Sequence, residues 1–229
     1  MTPWLVHAFT ATGALLAYLA LEAGIAGDAR AALLWLVAAT AIDAVDGVFA
    51  RLARVKERTP LFDGALLDNI IDYLTFVFVP VVLLRHSALL PDGPAGLAVA
   101  AAVLLSSAYG FCRLDAKTAD HFFTGFPSYW NVVAAYMIAF RFDPAVNAAW
   151  LWVFVALVFV PIGYVYPSRT ARWQGPTVAL GGLWGCAMIA IIWLLPSPPR
   201  WLVWASLAYP VYYGAISLLL HAQRKPHGA

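Results

Sequence analysis

The stretch AALLWLVAATAIDAVDGVFAR, residues 31–51, combines a long apolar run with two aspartates. The run is long enough to cross the ~30 Å hydrocarbon core of a bilayer as a helix, which satisfies its own backbone hydrogen bonds. Asp43 and Asp46 are unexpected there, because an unpaired carboxylate inside a membrane costs at least ~2.5 kcal/mol. The stretch therefore predicts a spanning helix that carries a polar site on one face.

Similar apolar runs recur along the whole chain of 229 residues, of which 63% are hydrophobic and 11% charged. This composition excludes an ordinary soluble protein. Gly, Pro and charged residues divide the chain into predicted spans at about 4–25, 30–51, 65–84, 94–112, 127–142, 147–166, 177–196 and 201–221. Pro161 and Pro210 are predicted to kink their helices. The expected fold is all-α, a polytopic integral membrane protein with about eight transmembrane helices.

The basic residues predict the orientation of these spans. An even number of spans places both termini on one side, and ten of the 14 Lys and Arg residues then share that side. These ten are Arg51, Arg54, Lys56, Arg58, Arg113, Lys117, Arg169, Arg172, Arg224 and Lys225. Because basic loops stay in the cytosol, both termini are predicted to be cytosolic.

A second pair of acids, Asp68 and Asp72, lies in the third apolar run. Spacings of three and four residues place each acidic pair on one helix face, so that two acidic stripes can face each other. Four clustered anions require compensation, and two hard divalent cations such as Mg²⁺ or Mn²⁺ would provide it. Small neighbours would let a phosphorylated ligand approach the backbone, and a nearby cation would bind its phosphate. These neighbours are Gly47, Ala50, Gly64 and the cation Arg51.

Two other interpretations of the acids are open on these residues alone. They could be structural carboxylates, paired with Arg or capping helix ends. They could also belong to a transporter or channel that binds cations or relays protons.

The acidic motif has the form Asp43-x2-Asp46-Gly47-x2-Ala50-Arg51, followed by Gly64-x3-Asp68-x3-Asp72. It resembles the signature of the CDP-alcohol phosphatidyltransferase family. Twelve residues separate the two parts here, more than in most of that family. The longer spacing is similar to that of the bacterial phosphatidylcholine synthases, as are the segments 62–73 and 125–131.

This resemblance implies transfer of the phosphatidyl group of CDP-diacylglycerol to choline, giving phosphatidylcholine and CMP, with two Mn²⁺ or Mg²⁺ ions. It implies metal binding by Asp43, Asp46, Asp68 and Asp72, the last also acting as general base. It implies a CDP-diacylglycerol site formed by Asp43, Gly47, Ala50, Arg51, Gly64 and Asp68. The motif concerns the CDP-lipid, which reacts in the same way with every acceptor of this family. The alternative acceptors therefore remain open: serine, inositol, glycerol phosphate and ethanolamine.

The resemblance also implies one membrane-embedded domain, 1–229, whose last two helices, about 177–221, lie beyond a six-helix family core. It further implies a homodimer in the bacterial inner membrane, with its active site facing the cytosol. Membrane lipid is an expected partner, and nucleic acid is not.

Choline carries a quaternary ammonium without an N–H donor, so aromatic rings are expected to recognise it. The candidates are Tyr73, Tyr109, Tyr129 and Trp130, although such rings are common as interface residues. Arg113, Arg169 and Arg172 are candidates for contact with a substrate phosphate or with anionic lipid. His7 and His121 show no partner pattern and are interpreted as incidental.

Overall fold

A computed structural model describes residues 2–118, 120–167, 169–170 and 172–224. Lys225, which the charge analysis assigns to the cytosolic side, lies outside these residues. The helices are α1 (Pro3–Ile25), α2 (Ala29–Leu52), α3 (Val55–Arg58), α4 (Gly64–Asp72), α5 (Val79–His86), α6 (Gly93–Cys112), α7 (Trp130–Phe140), α8 (Pro144–Phe159), α9 (Gln174–Trp193), α10 (Arg200–Ser206) and α11 (Ala208–Gln223). Two short strands, β1 (Phe122–Thr124) and β2 (Gly163–Val165), accompany them.

Six helical segments of the described chain are long and apolar enough to cross a membrane. They are α1, α2, the segment Gly64–His86, α6, α9 and the segment Arg200–Gln223. Two shorter apolar helices, α7 and α8, have 11 and 16 residues, which correspond to about 17 and 24 Å. The prediction of an all-α, polytopic membrane protein is confirmed.

The predicted fifth and sixth spans are longer than the helices that form. In α7 the helix begins only at Trp130, because Ser128 adopts a left-handed φ of 55° just before it. In α8 the helix ends at Phe159, and Val160 is already extended, with φ −83° and ψ 123°. The ring of Pro161 disfavours a helical conformation in the residue before it. The prediction of a kink at Pro161 is therefore wrong, because this proline ends the helix.

The last span does contain the predicted irregularity. Helix α10 ends at Ser206 and α11 begins at Ala208, close before Pro210. A proline provides no backbone N–H, so the carbonyl four residues earlier, at Ser206, has no helical donor. The span is interrupted here and continues in a second segment.

Strands β1 and β2 pair antiparallel, with Phe122 opposite Val165. The end of α11 is held against this pair, because the amide of Val165 donates to Oγ of Ser217 at 3.1 Å. The amide of Gly163 donates to Nδ1 of His221 at 3.1 Å. Strands of three residues are too short to show an alternating pattern, and the sequence analysis did not predict them.

One end of the helix bundle carries the start of α1, the segment 53–63, the described residues between α6 and α7 and between α8 and α9, and the end of α11. We call it the site end. Contacts connect these segments: His7 of α1 bonds to Thr59, and Arg224 pairs with Asp120. The main hydrophobic core lies beneath, where the largest fully buried side chains are those of Trp130, Leu33, Leu36, Leu83 and Leu84.

Candidate active site

Three of the four predicted acids meet at the site end. Asp43 of α2 and Asp68 and Asp72 of α4 each provide a carboxylate oxygen, and these oxygens all lie within 4.8 Å of one another. Helix α1 packs against both α2 and α4, which holds the two acidic faces together. Asp43 lies about 14 Å from the end of α2 at 1.5 Å per residue. We call these three residues the acidic triad.

Asp46 lies beside the triad but is not one of the three. Its side chain is buried, and Oδ2 accepts a hydrogen bond of 2.8 Å from the hydroxyl of Thr10 on α1. Its charge nevertheless acts on Asp43 and Asp68. The assignment of Asp46 as a metal ligand stays a prediction.

The triad could hold a metal ion. Its donors are carboxylate oxygens, which hard divalent cations such as Mg²⁺ and Mn²⁺ prefer. Within the described residues, the only ion pairs are Arg113–Asp115 and Arg224–Asp120. No described Arg, Lys or His therefore forms an ion pair with the triad, which argues against the alternative in which these carboxylates are paired with Arg.

Lys117 is a cation whose electrostatic influence reaches the acids, although in the sequence it stands out only as a loop charge. Its charge acts on Asp43, Asp46, Asp68 and Asp72. It lies between α6 and β1, in an isolated bridge with Phe123, and its side chain is exposed. No spacing in the sequence connects this loop residue with the acids.

The small residues of the motif have different surroundings. A Cβ atom at Gly47 would lie 3.4 Å from Nη1 of Arg51, so this guanidinium lies alongside Gly47 on the face of α2. Ala50 packs instead against a small cluster that contains Val6 and Val55.

Gly64 is required by a close contact with His7. A Cβ atom at Gly64 would lie 2.8 Å from Cε1 of His7, which is too close for an ordinary contact. His7 is buried, its Nε2 lies 3.0 Å from Oγ1 of Thr59, and its ring lies 4.3 Å from that of Phe62. Thr59 already donates to the carbonyl of Val55, so His7 is the donor in this pair. The interpretation of His7 as incidental is wrong, since it fixes the segment that leads into α4.

A π-helical turn, Tyr73–Phe78, follows Asp72 directly. Such turns are rare and occur frequently at functional sites. Here it separates the acidic face of α4 from α5, in which Leu83 and Leu84 are buried in the core.

Among the four aromatic candidates, Tyr129 is the one that packs against the turn following Asp72. The charge of Asp43 acts on it, and its ring lies 6.4 Å from Phe76, one turn beyond Asp72. Trp130 is 1% exposed and donates from Nε1 to Ser107.

The other two candidates have contacts elsewhere. The hydroxyl of Tyr73 donates to the carbonyl of Leu104 at 3.0 Å. Tyr109 is 49% exposed, and its ring lies 5.2 Å from that of Phe159.

The three candidate arginines have partners of their own. Arg113 binds both carboxylate oxygens of Asp115 and holds the pKa of that exposed carboxyl below its usual range. Arg169 lies over the ring of Tyr166. Arg172 donates to Oε1 of Gln223. Their assignment to a substrate phosphate stays a prediction.

No family model matches the sequence. Curated relatives do: a protein of Legionella pneumophila is 48% identical over 168 residues, which are 72% of this chain and 65% of that protein. One of Pseudomonas aeruginosa is 41% identical over 181 residues, 79% of this chain and 76% of the relative. One of Rhizobium meliloti is 32% identical over 216 residues, 94% and 89% of the two chains. All three are named phosphatidylcholine synthase. The resemblance found in the acidic motif is confirmed, and the chain belongs to the phosphatidylcholine synthase family.

Proposed function

We propose that the protein transfers the phosphatidyl group of CDP-diacylglycerol to choline, giving phosphatidylcholine and CMP. The observation that carries the proposal is the acidic triad at the end of a membrane-embedded bundle, in a chain of this family. The choline hydroxyl oxygen bonds to the β-phosphorus, and the bond from that phosphorus to the CMP oxygen breaks. The hydroxyl proton leaves at the same step.

Asp72 is the proposed acceptor of that proton. Its carboxylate belongs to the triad and lies at the end of α4, where the π-helical turn begins. A general base must come within hydrogen-bond reach of the hydroxyl that it deprotonates. Asp43 and Asp68, with Asp46 beside them, would hold two divalent cations. When bound, these cations would neutralise charge on the diphosphate and on the departing CMP.

The CDP end of the substrate is assigned to the face of α2 that carries Gly47 and Arg51. The guanidinium alongside Gly47 supports this assignment, because Arg binds phosphate oxygens in a bidentate manner. Lys117 is proposed as a second cation for the diphosphate, because it is an exposed cation whose electrostatic influence reaches all four acids. Roles for Ala50 and Gly64 in the same pocket belong to the proposal, although both residues also have packing contacts.

The proposed location is the bacterial inner membrane, with the site end in the cytosol. The concentration of basic residues on that side supports this orientation. A homodimer is part of the same proposal, and chemical cross-linking in native membranes would test it.

An acceptor panel tests the proposed function. Purified protein is mixed with CDP-diacylglycerol, Mn²⁺ or Mg²⁺, and radiolabelled choline, serine, inositol, glycerol phosphate or ethanolamine in turn. We expect CMP and labelled phospholipid with choline only, and neither product after chelation of the metal. If labelled lipid forms from another acceptor and none forms from choline, choline is not the acceptor. If no CMP forms with any acceptor, the proposed reaction is wrong.

A further inference from the structure

We propose that Tyr213, together with Tyr129 and Tyr164, forms the site that binds the trimethylammonium group of choline. The proposal rests on the proposed function and goes further, because it assigns the acceptor site to residues from the last third of the chain. Neither Tyr164 nor Tyr213 was among the candidates of the sequence analysis.

Tyr129 connects this tyrosine group to the acidic triad. Two residues beyond it, Asn131 donates from Nδ2 to Oγ1 of Thr40 at 3.3 Å, and Thr40 lies one helical turn before Asp43. On its other side, Tyr129 contacts Phe76, one turn beyond Asp72. Tyr129 therefore lies between a segment bonded to α2 and the π-helical turn that follows Asp72.

Tyr213 is the centre of the group. Its ring centroid lies 6.3 Å from that of Tyr129, at an interplanar angle of 60°, and 6.3 Å from that of Tyr164. Tyr209 adds a third neighbouring ring at 6.5 Å. A cation attracted to a ring face lies within about 6 Å of its centroid. Two tilted rings whose centroids are 6.3 Å apart can both meet this condition for one cation.

The rings are held in place and are not fully buried. The hydroxyl of Tyr213 donates to the carbonyl of Val165 at 2.8 Å, and the hydroxyls of Tyr129 and Tyr213 interact. Tyr129, Tyr164, Tyr209 and Tyr213 all remain partly exposed, whereas Trp130 is buried in the core. Rings that are already held in place cost little to order when a ligand binds.

The chemistry fits a quaternary ammonium alcohol. Such a cation has no N–H to donate, so ring faces and a nearby negative charge are the interactions that it can use. In choline, two carbons separate the hydroxyl oxygen from the nitrogen. If the hydroxyl lies at Asp72, the nitrogen lies within one short molecule's length of that carboxylate, and Phe76, one helical turn beyond Asp72, packs against the ring of Tyr129.

The test uses the full-length enzyme and variants that remove the ring face but keep a large apolar side chain. Tyr213→Leu and Tyr164→Leu are compared with Tyr213→Phe and with a matched control, Tyr18→Leu, whose ring is 56% exposed on α1. The acceptors are choline and 3,3-dimethylbutan-1-ol, in which carbon replaces the charged nitrogen. We expect the leucine variants to raise the choline KM by about tenfold and to reduce the preference for choline over the neutral alcohol. The KM for CDP-diacylglycerol should stay unchanged in all of them.

Tyr213→Phe and Tyr18→Leu should keep the preference of the parent enzyme. An unchanged choline KM in a folded, active Tyr213→Leu or Tyr164→Leu variant overturns the tyrosine site and leaves the proposed function standing. If Tyr213→Leu fails to fold, Tyr164→Leu decides by the same ratio. Failure of the parent enzyme to use choline at all overturns the proposed function, and with it this inference.

Discussion

The acidic triad and the tyrosine group meet at the site end, but they come from different parts of the chain. The triad lies on α2 and α4, where spacings of four residues place carboxylates on one helix face. The tyrosines come from the start of α7, from β2 and from α11, and hydrogen bonds between distant segments hold them together. Under the two proposals above, the first helices would bind the diphosphate and the later elements would select the alcohol.

The largest effect is expected from Asp72→Asn. Loss of the proposed base should lower kcat by about 10²- to 10⁴-fold with every acceptor. The matched control is Asp63→Asn, because Asp63 caps α4 through the amides of Ala65 and Leu66, and asparagine caps a helix equally well. CMP release measures both. Substantial activity in Asp72→Asn would leave the triad a metal site without a base.

Asp43→Asn, Asp46→Asn and Asp68→Asn should abolish turnover at ordinary metal concentrations. Each removes a charged oxygen donor, so the Mn²⁺ concentration required for half-maximal rate should rise. A Mn²⁺ titration of CMP release measures this. If Asp46→Asn retains the parent's Mn²⁺ dependence, Asp46 is not a metal ligand. Its hydrogen bond with Thr10 then serves only to hold α1 and α2 together.

Gly64→Ala should reduce stability by about 1–3 kcal/mol, because the added methyl group meets His7. His7→Ala removes that obstacle, so the double variant should recover part of the stability and activity that Gly64→Ala loses. Thermal unfolding in detergent and CMP release report the two quantities. If the double variant folds normally and remains inactive, Gly64 is needed for ligand approach and not for its contact with His7.

Lys117→Ala should raise the KM for CDP-diacylglycerol by roughly tenfold, because the diphosphate requires a positive charge. Lys117→Arg keeps that charge, so its KM should stay close to that of the parent enzyme. The choline KM should change less. An equal rise for both substrates would indicate a general disturbance of the loop. Lys56→Ala, in the exposed segment before α4, is a matched loss of charge at the same end.

The smallest effect is expected at the pair Asp120–Arg224. Burial raises the pKa of Asp120, but hydrogen bonds from Thr118 and Arg224 and the charge of Arg224 outweigh it and hold that pKa below its ordinary value of 3.8. The pair therefore stabilises the fold fully at pH values above 3.8. This stabilisation is lost as the pH falls through the lower pKa that Asp120 has in the folded state. Asp120→Asn should cost less than ~1 kcal/mol at pH 7 and flatten the loss of Tm in acid. An unchanged acid profile would show that the pair adds no stability.

The sequence predicts the triad well because the signal is local. A period of three to four residues is visible wherever a helix carries polar side chains in an apolar run, and Asp43, Asp68 and Asp72 meet as their spacing predicts. The eight apolar segments are predicted for the same reason, since each is a local run of apolar residues. Two of them form shorter helices than predicted, where Ser128 delays the start of α7 and Pro161 ends α8.

The tyrosine group and Lys117 could not be found in this way. Tyr213 reaches Tyr129 only because α11 rests on β2, and β2 exists only because α8 ends before Pro161. No periodic pattern of residues in the sequence indicates these contacts, because they join distant segments. Trp130 illustrates the converse, since it was a candidate for choline binding as an aromatic residue, whereas its indole is buried and bonded to Ser107.

The π-helical turn after Asp72 has a consequence for how such an enzyme can change. A turn of this kind contains one residue more than an α-helix needs, so it rotates everything beyond it relative to everything before it. The acids of α4 and the core-filling leucines of α5 can thus both point inward although they belong to one span. Removing a single residue from 73–78 should put the two faces out of phase, and its re-insertion nearby should bring them back.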